Sequence, residues 1–529
     1  MRRKKLRRLL SRDFGKKPDT LYFPGDMEEI RAYARYRRRA EPERFQLDDV
    51  TWSDLDMDHL FQRINPRLST AGEQYLYFQL RAPAQDEKTW RRQQDLIRLM
   101  EEDDALRLEV QVILARLGSA KYCDLERIFA PTPRASWRLV LYLALLAILA
   151  SCVVLAFVLG QPGLLALIAS ALVNTVVHEL CRRKSERDYS TVNYSVQMVM
   201  ALHRLKKLRH PALNQLLTGA WRHLDALRSV RRMGGVSAAS GSSMADTLTS
   251  VLLADLITYE SLRHTMGEKP RDVFAVHEAL GQLDAAIAIA SWRRTLPRWT
   301  VPAVDFQPEK ALLEAKDLVH PLLEDAVPND LTLHRSLLLT GSNASGKSTC
   351  LKAAALGAVT AQALCTCAAS QVRMSALRVM TSMALRDDML AGESYYIVET
   401  RSLKRIFDAA HSGLPVFCAI DEVLRGTNTI ERIAASCEIL RSLSAQGMLC
   451  IAATHDAELC ELLRDDYDLA HFEEQITEHS IAYDYRLRPG KATTRNAIHL
   501  LRLIGFEDAI VNSAHARAQA YLDTGRWDK

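Results

Sequence analysis

Residues Ser336–Thr340 read Ser-Leu-Leu-Leu-Thr, and Gly341-Ser-Asn-Ala-Ser-Gly346-Lys347-Ser348 follows at once. A short apolar run, a glycine-bounded loop and a helical pattern from Thr349 to Leu364 predict strand, phosphate-binding turn and helix in that order. Glycines at 341 and 346 let backbone N–H groups curl around phosphates, and the helix that follows presents its positive end. The expected nucleotide site is therefore Gly341, Ser342, Asn343, Ala344, Ser345, Gly346, Lys347, Ser348 and Thr349. Lys347 is placed to neutralise β- and γ-phosphate oxygens, and Ser348 to ligate Mg²⁺.

A matching second motif lies some 75 residues on. Leu414-Pro-Val-Phe-Cys-Ala-Ile420 is an apolar run that ends in Asp421 and Glu422. Asp421 is expected to hold Mg²⁺ through water, and Glu422 to orient or deprotonate the attacking water. A third run, Met448-Leu-Cys-Ile-Ala-Ala453, ends in Thr454-His455-Asp456. From there His455 can reach the edge of a γ-phosphate. Apolar strands alternating with helices from about residue 303 predict a parallel α/β sheet.

Working outward, the upstream half is helical in pattern. Leu60 and Ile64, Leu76 and Leu80, and Ile97 and Met100 are apolar pairs three or four apart on otherwise polar segments. A second periodic set, Val273, Val276, Leu280, Leu283 and Ile287, precedes Pro297 and Pro302. Residues 233–244, Gly/Ser-rich, are expected to form a loop. Residues 139–159 differ in kind: they carry no charge over 21 residues. At 1.5 Å per residue that stretch matches the roughly 30 Å hydrocarbon thickness. After Gly160-Gln-Pro-Gly163 a second apolar stretch runs to Cys181. Arg134 and Arg138 flank the entry, and Arg182, Arg183 and Lys184 the exit. The expectation is a transmembrane hairpin over 139–181 with both ends cytoplasmic.

The 529 residues carry 69 Lys and Arg against 64 Asp and Glu, a net charge of +5. Residues 1–40 hold 14 of those cations and 5 of the anions, which leaves 55 against 59 for the remainder. The body of the chain is thus not a nucleic-acid-coated surface. Met1–Arg8 is expected either as a solvated tail or as one resting on anionic lipid or nucleic-acid phosphates. Ten cysteines form no CxxC pair, which argues against zinc and for reduced thiols in the cytosol.

The motifs resemble the ATPase domain of the MutS mismatch-repair family. The resemblance is carried by His320-Pro321, Val327-Pro-Asn-Asp330, TGSNASGKST (340–349), DEVLRGTNT (421–429), ATHDAEL (453–459) and LRPGKATTRNAIHLLRLIGF (487–506). Asp387-Asp388 through Gly392, Ser394 and Glu399 resembles the family's signature loop. In that family the loop of one subunit completes the site of the other, which implies Ser394 acting in trans and a homodimer. Residues 54–130 and 185–300 resemble the two halves of its helical core and lever. The resemblance implies ATP and Mg²⁺ as cofactors, ATPase activity and DNA as a possible partner.

Three departures stand out. No counterpart to the mismatch-reading domain and its Phe-x-Glu wedge is found. The DNA clamp has no room, and an apolar hairpin interrupts the core. Ala326 stands where the family has an aromatic that stacks on adenine.

The organisation expected is a basic tail (1–50), first core half (51–133), hairpin (134–184), second core half with lever helices (185–300) and a P-loop α/β domain with a helical dimerisation end (301–529). The leading functional expectation is a dimeric MutS-like ATPase in the cytoplasmic membrane, its ATPase domain in the cytosol. An ABC-type subunit or membrane mechanochemical ATPase without a DNA role is the alternative. A soluble, cytoplasmic repair factor is the third.

Overall fold

Short apolar runs become the strands of the C-terminal half. The computed structural model describes residues 3–18, 22–129, 137–237, 248–342, 345–383, 395–411, 413–425, 427–477, 480–492 and 497–524. The chain packs as two units.

The second unit comprises residues 45–60, 81–90 and 296–529. Its six-stranded sheet runs β10 (Ser480–Pro489), β9 (Tyr467–Thr477), β4 (Ser336–Thr340), β8 (Leu449–Ala453), β7 (Val416–Asp421), β6 (Arg378–Ser382). All neighbours are parallel except β10, which pairs antiparallel with β9 at one edge. The three strands expected from sequence are β4, β7 and β8, and they are adjacent. Their side chains are buried on both faces, which is why they read as continuous apolar runs rather than alternating ones. Leu338, Cys418, Ile420, Cys450 and Ala452 share one core cluster with Leu440 and Leu443 of the helix Thr429–Ala445.

A smaller mixed sheet, β1 (Ala303–Asp305), β5 (Gln371–Ser375), β2 (Leu313–Leu318) and β3 (Asn329–Leu333), was not expected. Residues 51–60 and 81–90, read as part of the core's first half, and 45–50, read as part of the basic tail, pack in this unit. The reason is specific hydrogen bonding. The buried Asp54 carboxylate accepts from Thr381 Oγ1 at 2.7 Å and from the Met383 N–H at 3.0 Å. Trp90 Nε1 donates to the Ala361 carbonyl at 2.9 Å.

The first unit, residues 1–44, 61–80 and 91–295, is helical. Its N-terminal residues are not the solvated tail that the charge run suggested. Arg3–Asp13 is a helix whose Leu6 and Leu10, one turn apart, pack on Val112, while Arg3 and Arg7 pair with Glu109 at 2.7 Å. Pro24–Ala40 is helical too, with Tyr33 edge-on to Phe78 at 5.3 Å. The long helix Pro270–Arg293 lies at the centre of this unit, and two glycines let its neighbours approach. A Cβ on Gly281 would sit 2.4 Å from Tyr75 Cβ, and one on Gly72 would overlap Asp284 at 2.0 Å. The Gly/Ser stretch is helical up to Ser237, in Arg228–Ser237, and the rest of that expected loop lies outside the described residues.

The apolar stretches form two helices, Trp137–Leu159 and Gln161–Lys184, packed side by side. A Cβ on Gly163 would meet the Leu155 carbonyl at 2.2 Å, so glycine sets their close approach. Both are long and apolar enough to cross a membrane, and their outer side chains are uncovered: Phe157 is 88% exposed and Leu165 69%. At the other end Tyr142, Leu253 and Leu256 bury one another beside Val177 and Cys181. His178 Nε2 meets Asp255 Oδ2 at 2.7 Å there, and Asn174 donates to the Val251 carbonyl.

Candidate functional site

The site grows from the ends of β4 and β7. Strand β4 ends at Thr340, and Gly341 (φ +140°) and Gly346 (φ +108°) turn the chain in conformations that side chains rarely adopt. A Cβ on Gly341 would sit 2.8 Å from the Phe472 carbonyl, so the first glycine is also required by space. The helix Lys347–Leu364 then starts with its positive end towards the loop. Asn343 and Ala344 lie outside the described residues. Ser345 Oγ is buried with no hydrogen-bond partner among them, an orphaned donor suited to a phosphate oxygen. Lys347 Nζ donates to the carbonyls of Gly341 and Ser342, both at 2.7 Å. Burial pushes its ammonium down, with Asp421 and Glu422 opposing.

Strand β7 delivers the carboxylates to the same place. Ser348 Oγ donates to Asp421 Oδ2 at 2.5 Å. A hydroxyl and a carboxylate in contact form the hard oxygen pair that Mg²⁺ takes, so these two residues fit the ion. Glu422 is held from two sides: His455 Nε2 lies 2.6 Å from Oε1 and Arg425 Nε 2.8 Å from Oε2. The His455 hydrogen bond, with help from Arg425 and Lys347, keeps the Glu422 carboxyl below its usual range. The sequence thus brings together Lys347, Ser348, Asp421, Glu422 and His455. Thr349, in the first helical turn, borders the same cleft. Ser394 and residues 384–393 of the signature loop lie outside the described residues.

Several contributors carried no sequence expectation. Glu399, 3% exposed on the helix Tyr395–Asp408, accepts from the backbone N–H of Leu424 at 2.7 Å and of Arg425 at 3.0 Å. It braces a turn in which Glu422 (φ +59°) and Leu424 (φ +60°) both take left-handed backbone, a conformation that persists only when the surroundings hold it. Burial pushes the Glu399 carboxyl up, and the two N–H donors oppose that rise. The charge on Arg425 was visible in DEVLRGTNT, but its direction depends on that turn.

The cleft is about 600 Å³ and is bordered by Ala326, His320, Phe472 and Tyr485 besides the loop. Burial, then Lys352, pushes the His320 imidazole down to about 4. It is neutral near pH 7 and accepts the Leu322 N–H at Nδ1. Ala326 offers no ring, but Tyr485 does. This residue of β10 has φ +53°, and its ring edge lies 3.2 Å from where a Cβ on Gly346 would be. Asn329 of β3 clamps the bulge around it, donating to the Tyr485 carbonyl at 2.9 Å and accepting the Leu487 N–H at 2.7 Å. Asn329 was legible as part of Val-Pro-Asn-Asp; the strand it would clamp was not.

A mostly parallel sheet with a glycine-bounded loop, a lysine opening the next helix and a serine–aspartate pair has the arrangement of a P-loop domain. Residues 337–521 match the family model described as MutS domain V. The chain is 30% identical over 276 residues to the DNA mismatch repair protein MutS of Methanothrix thermoacetophila, covering 50% of this chain and 31% of that protein. It is 33% identical over 216 residues to the DNA mismatch repair protein MutS 2 of Halobacterium salinarum, covering 39% and 24%. For the DNA mismatch repair protein MutS of Desulforapulum autotrophicum the identity is 27% over 269 residues, covering 48% and 29%. The matched part is thus about a third or less of each relative.

Proposed function

We propose that the protein is a membrane-tethered, MutS-like ATPase that binds Mg–ATP in the cleft of its second unit, dimerises through its ATPase domains and couples nucleotide state to motion of its helical core. The observation that carries the reading is the convergence of Ser348 on Asp421 with Glu422 held between His455 and Arg425. Ser348 and Asp421 would hold Mg²⁺, which would offset the charge of the phosphate oxygens. Lys347 then turns from the loop carbonyls to the phosphates, and Ser345 Oγ gains a partner. A carboxylate kept ionised by His455 and Arg425 is a weak base but a firm acceptor. Glu422 therefore acts by orienting the water more than by removing its proton. Tyr485 supplies the flat surface for adenine that Ala326 lacks. Ser394 of a second copy completes the site at the γ-phosphate.

The hairpin 139–181 anchors the chain in the cytoplasmic membrane with the ATPase in the cytosol. DNA, the ligand suggested by the relatives' names, is bound through charge and shape with little preference for a mismatch. Glu422→Gln, which loses the charged acceptor that orients the water, should retain nucleotide binding and slow steady-state hydrolysis by on the order of 10²-fold. Hydrolysis at the parent rate would remove Glu422 from the mechanism.

A further inference from the structure

Beside the exit of the apolar hairpin, inside the first unit, lies a second cleft of about 470 Å³. Its walls come from the last turn of Gln161–Lys184, the helix Glu186–Lys206, the helix Ala254–Gly267 and the end of Asp104–Leu117. Three arginines border it: Arg182, Arg116 and Arg204. Arg116 and Arg204 are exposed and form no ion pair among the described residues. The Arg182 guanidinium lies 5.8 Å from the centre of the Tyr189 ring, which stands 5.5 Å from that of Tyr259.

Tyr259 is the second, independent sign of a ligand. It is 4% exposed, borders the cleft, and its hydroxyl has no hydrogen-bond partner among the described residues. A buried hydroxyl without a partner is costly, and burial pushes its pKa up to about 12, so it stays a donor. Among the described residues Asp255 is the one carboxylate on the lining, and His178 already occupies it at 2.7 Å. The remaining polar chemistry is donor-rich and cationic, with an apolar wall that includes Val196 and Met200.

We propose that this cleft binds the phosphate group of an anionic phospholipid headgroup, with Arg116, Arg182, Arg204 and Tyr259 as its donors. The class follows from three facts on the molecule. Guanidinium groups and a hydroxyl suit a phosphate's several acceptor oxygens. The apolar wall of Val196 and Met200 suits the start of an acyl chain. Arg182, in the final turn of an apolar helix, would stand at headgroup depth. The choice of lipid over free phosphate rests on the membrane reading of 139–181.

The test uses the full chain, purified in detergent and titrated with dihexanoyl phosphatidylglycerol, dihexanoyl phosphatidylcholine, inorganic phosphate and a single-stranded oligonucleotide. Phosphatidylglycerol should bind more tightly than phosphatidylcholine by roughly tenfold or more, the scale of a few charge-assisted contacts. Arg116→Glu with Arg204→Glu should abolish that preference. Tyr259→Phe, which keeps the ring, should weaken phosphatidylglycerol alone. Inorganic phosphate should compete, but more weakly. Equal affinity for the two lipids, or a preference that survives the double substitution, overturns the proposal. Inorganic phosphate as tight as phosphatidylglycerol assigns the cleft to a soluble phosphate and overturns the lipid. An oligonucleotide that outcompetes phosphatidylglycerol through the same arginines does so in favour of nucleic acid. Carbonate washing of membranes tests the hairpin separately: release of the parent chain would refute the anchor, while the titration in detergent still decides the cleft.

Discussion

Two helices of 24 residues each, Gln161–Lys184 and Pro270–Arg293, are both long and apolar enough to cross a bilayer. Yet 11% of the most apolar stretch of the first is buried in protein, and 83% of the second. The second is built for close approach. Ala279, Gly281, Ala285, Ala286, Ala288 and Ala290 let neighbouring helices in. Three of its buried polar side chains find partners, His277 with Gln74 at 2.9 Å, Asp284 with the Ser69 hydroxyl at 2.5 Å and Arg293 with Glu101 at 2.7 Å, while His277 Nδ1 and Trp292 Nε1 have none among the described residues. The first presents Leu164, Leu165, Ile168, Leu172 and Val176 outward. Its polar Asn174 and His178 find partners at the end near Ala254–Gly267. Length and composition do not separate a buried helix from an uncovered one. The size of the outward residues does.

The sharpest way to break this contrast is to remove the exposed pair. Deleting 139–181 behind a short Gly/Ser joint should move essentially all of the protein from the carbonate-washed membrane to the soluble fraction, with nucleotide binding kept. A soluble parent chain would make the hairpin a packing element instead. The next effect is in the buried helix. Gly281→Leu drives atoms into Tyr75 and the Ala71 carbonyl, and should destabilise the first unit by about 3 kcal/mol or more. Gly219→Ala, at a helical position with nothing within 4 Å, should leave stability equal or raise it slightly. Thermal unfolding of the two variants side by side measures both.

The smallest effect is a dependence on pH. Burial pushes the Asp284 carboxyl up to about 7, far above its value of about 4 in the unfolded chain. Between those values the folded chain keeps a proton that the unfolded chain has released, so stability falls as pH rises from about 4 to about 7. Asp284→Asn should flatten that slope, worth about 3 °C in Tm between pH 5 and pH 7. Glu73, whose carboxyl burial also raises to about 7, should retain the remainder. A slope unchanged by the substitution would mean that Asp284 is ionised in the folded chain.

What could be read in advance follows from how locally each feature is encoded. Strands β4, β7 and β8 announce themselves because burial on both faces makes them apolar throughout. The loop and the two carboxylates sit at fixed offsets from those strands, so Lys347, Ser348, Asp421 and Glu422 were legible together. Tyr485 was not, because its entry into the cleft depends on the β10 bulge and on Asn329, 156 residues away. Glu399 was quoted within a motif, yet its role lies in two backbone N–H groups 25 and 26 residues on. The N-terminal helix was masked by its own charge: Leu6 and Leu10 are a sparse apolar signal among many cations, and Glu109 is what completes it.

The hydrogen bond between Asp54 and Thr381 spans 327 residues of sequence. A growing chain makes residues 45–60 early, then the whole hairpin 139–181, and reaches β6 only much later. The second unit therefore cannot close while it is being synthesised from its own contiguous end alone. Its first segment must wait, with Thr51 and Asp54 solvated, until the last third of the chain appears. Closing a loop of that length adds only a logarithmic entropy term, so the delay costs time more than stability. It also sets an order of events: the apolar hairpin finds its environment before the nucleotide-binding unit is whole.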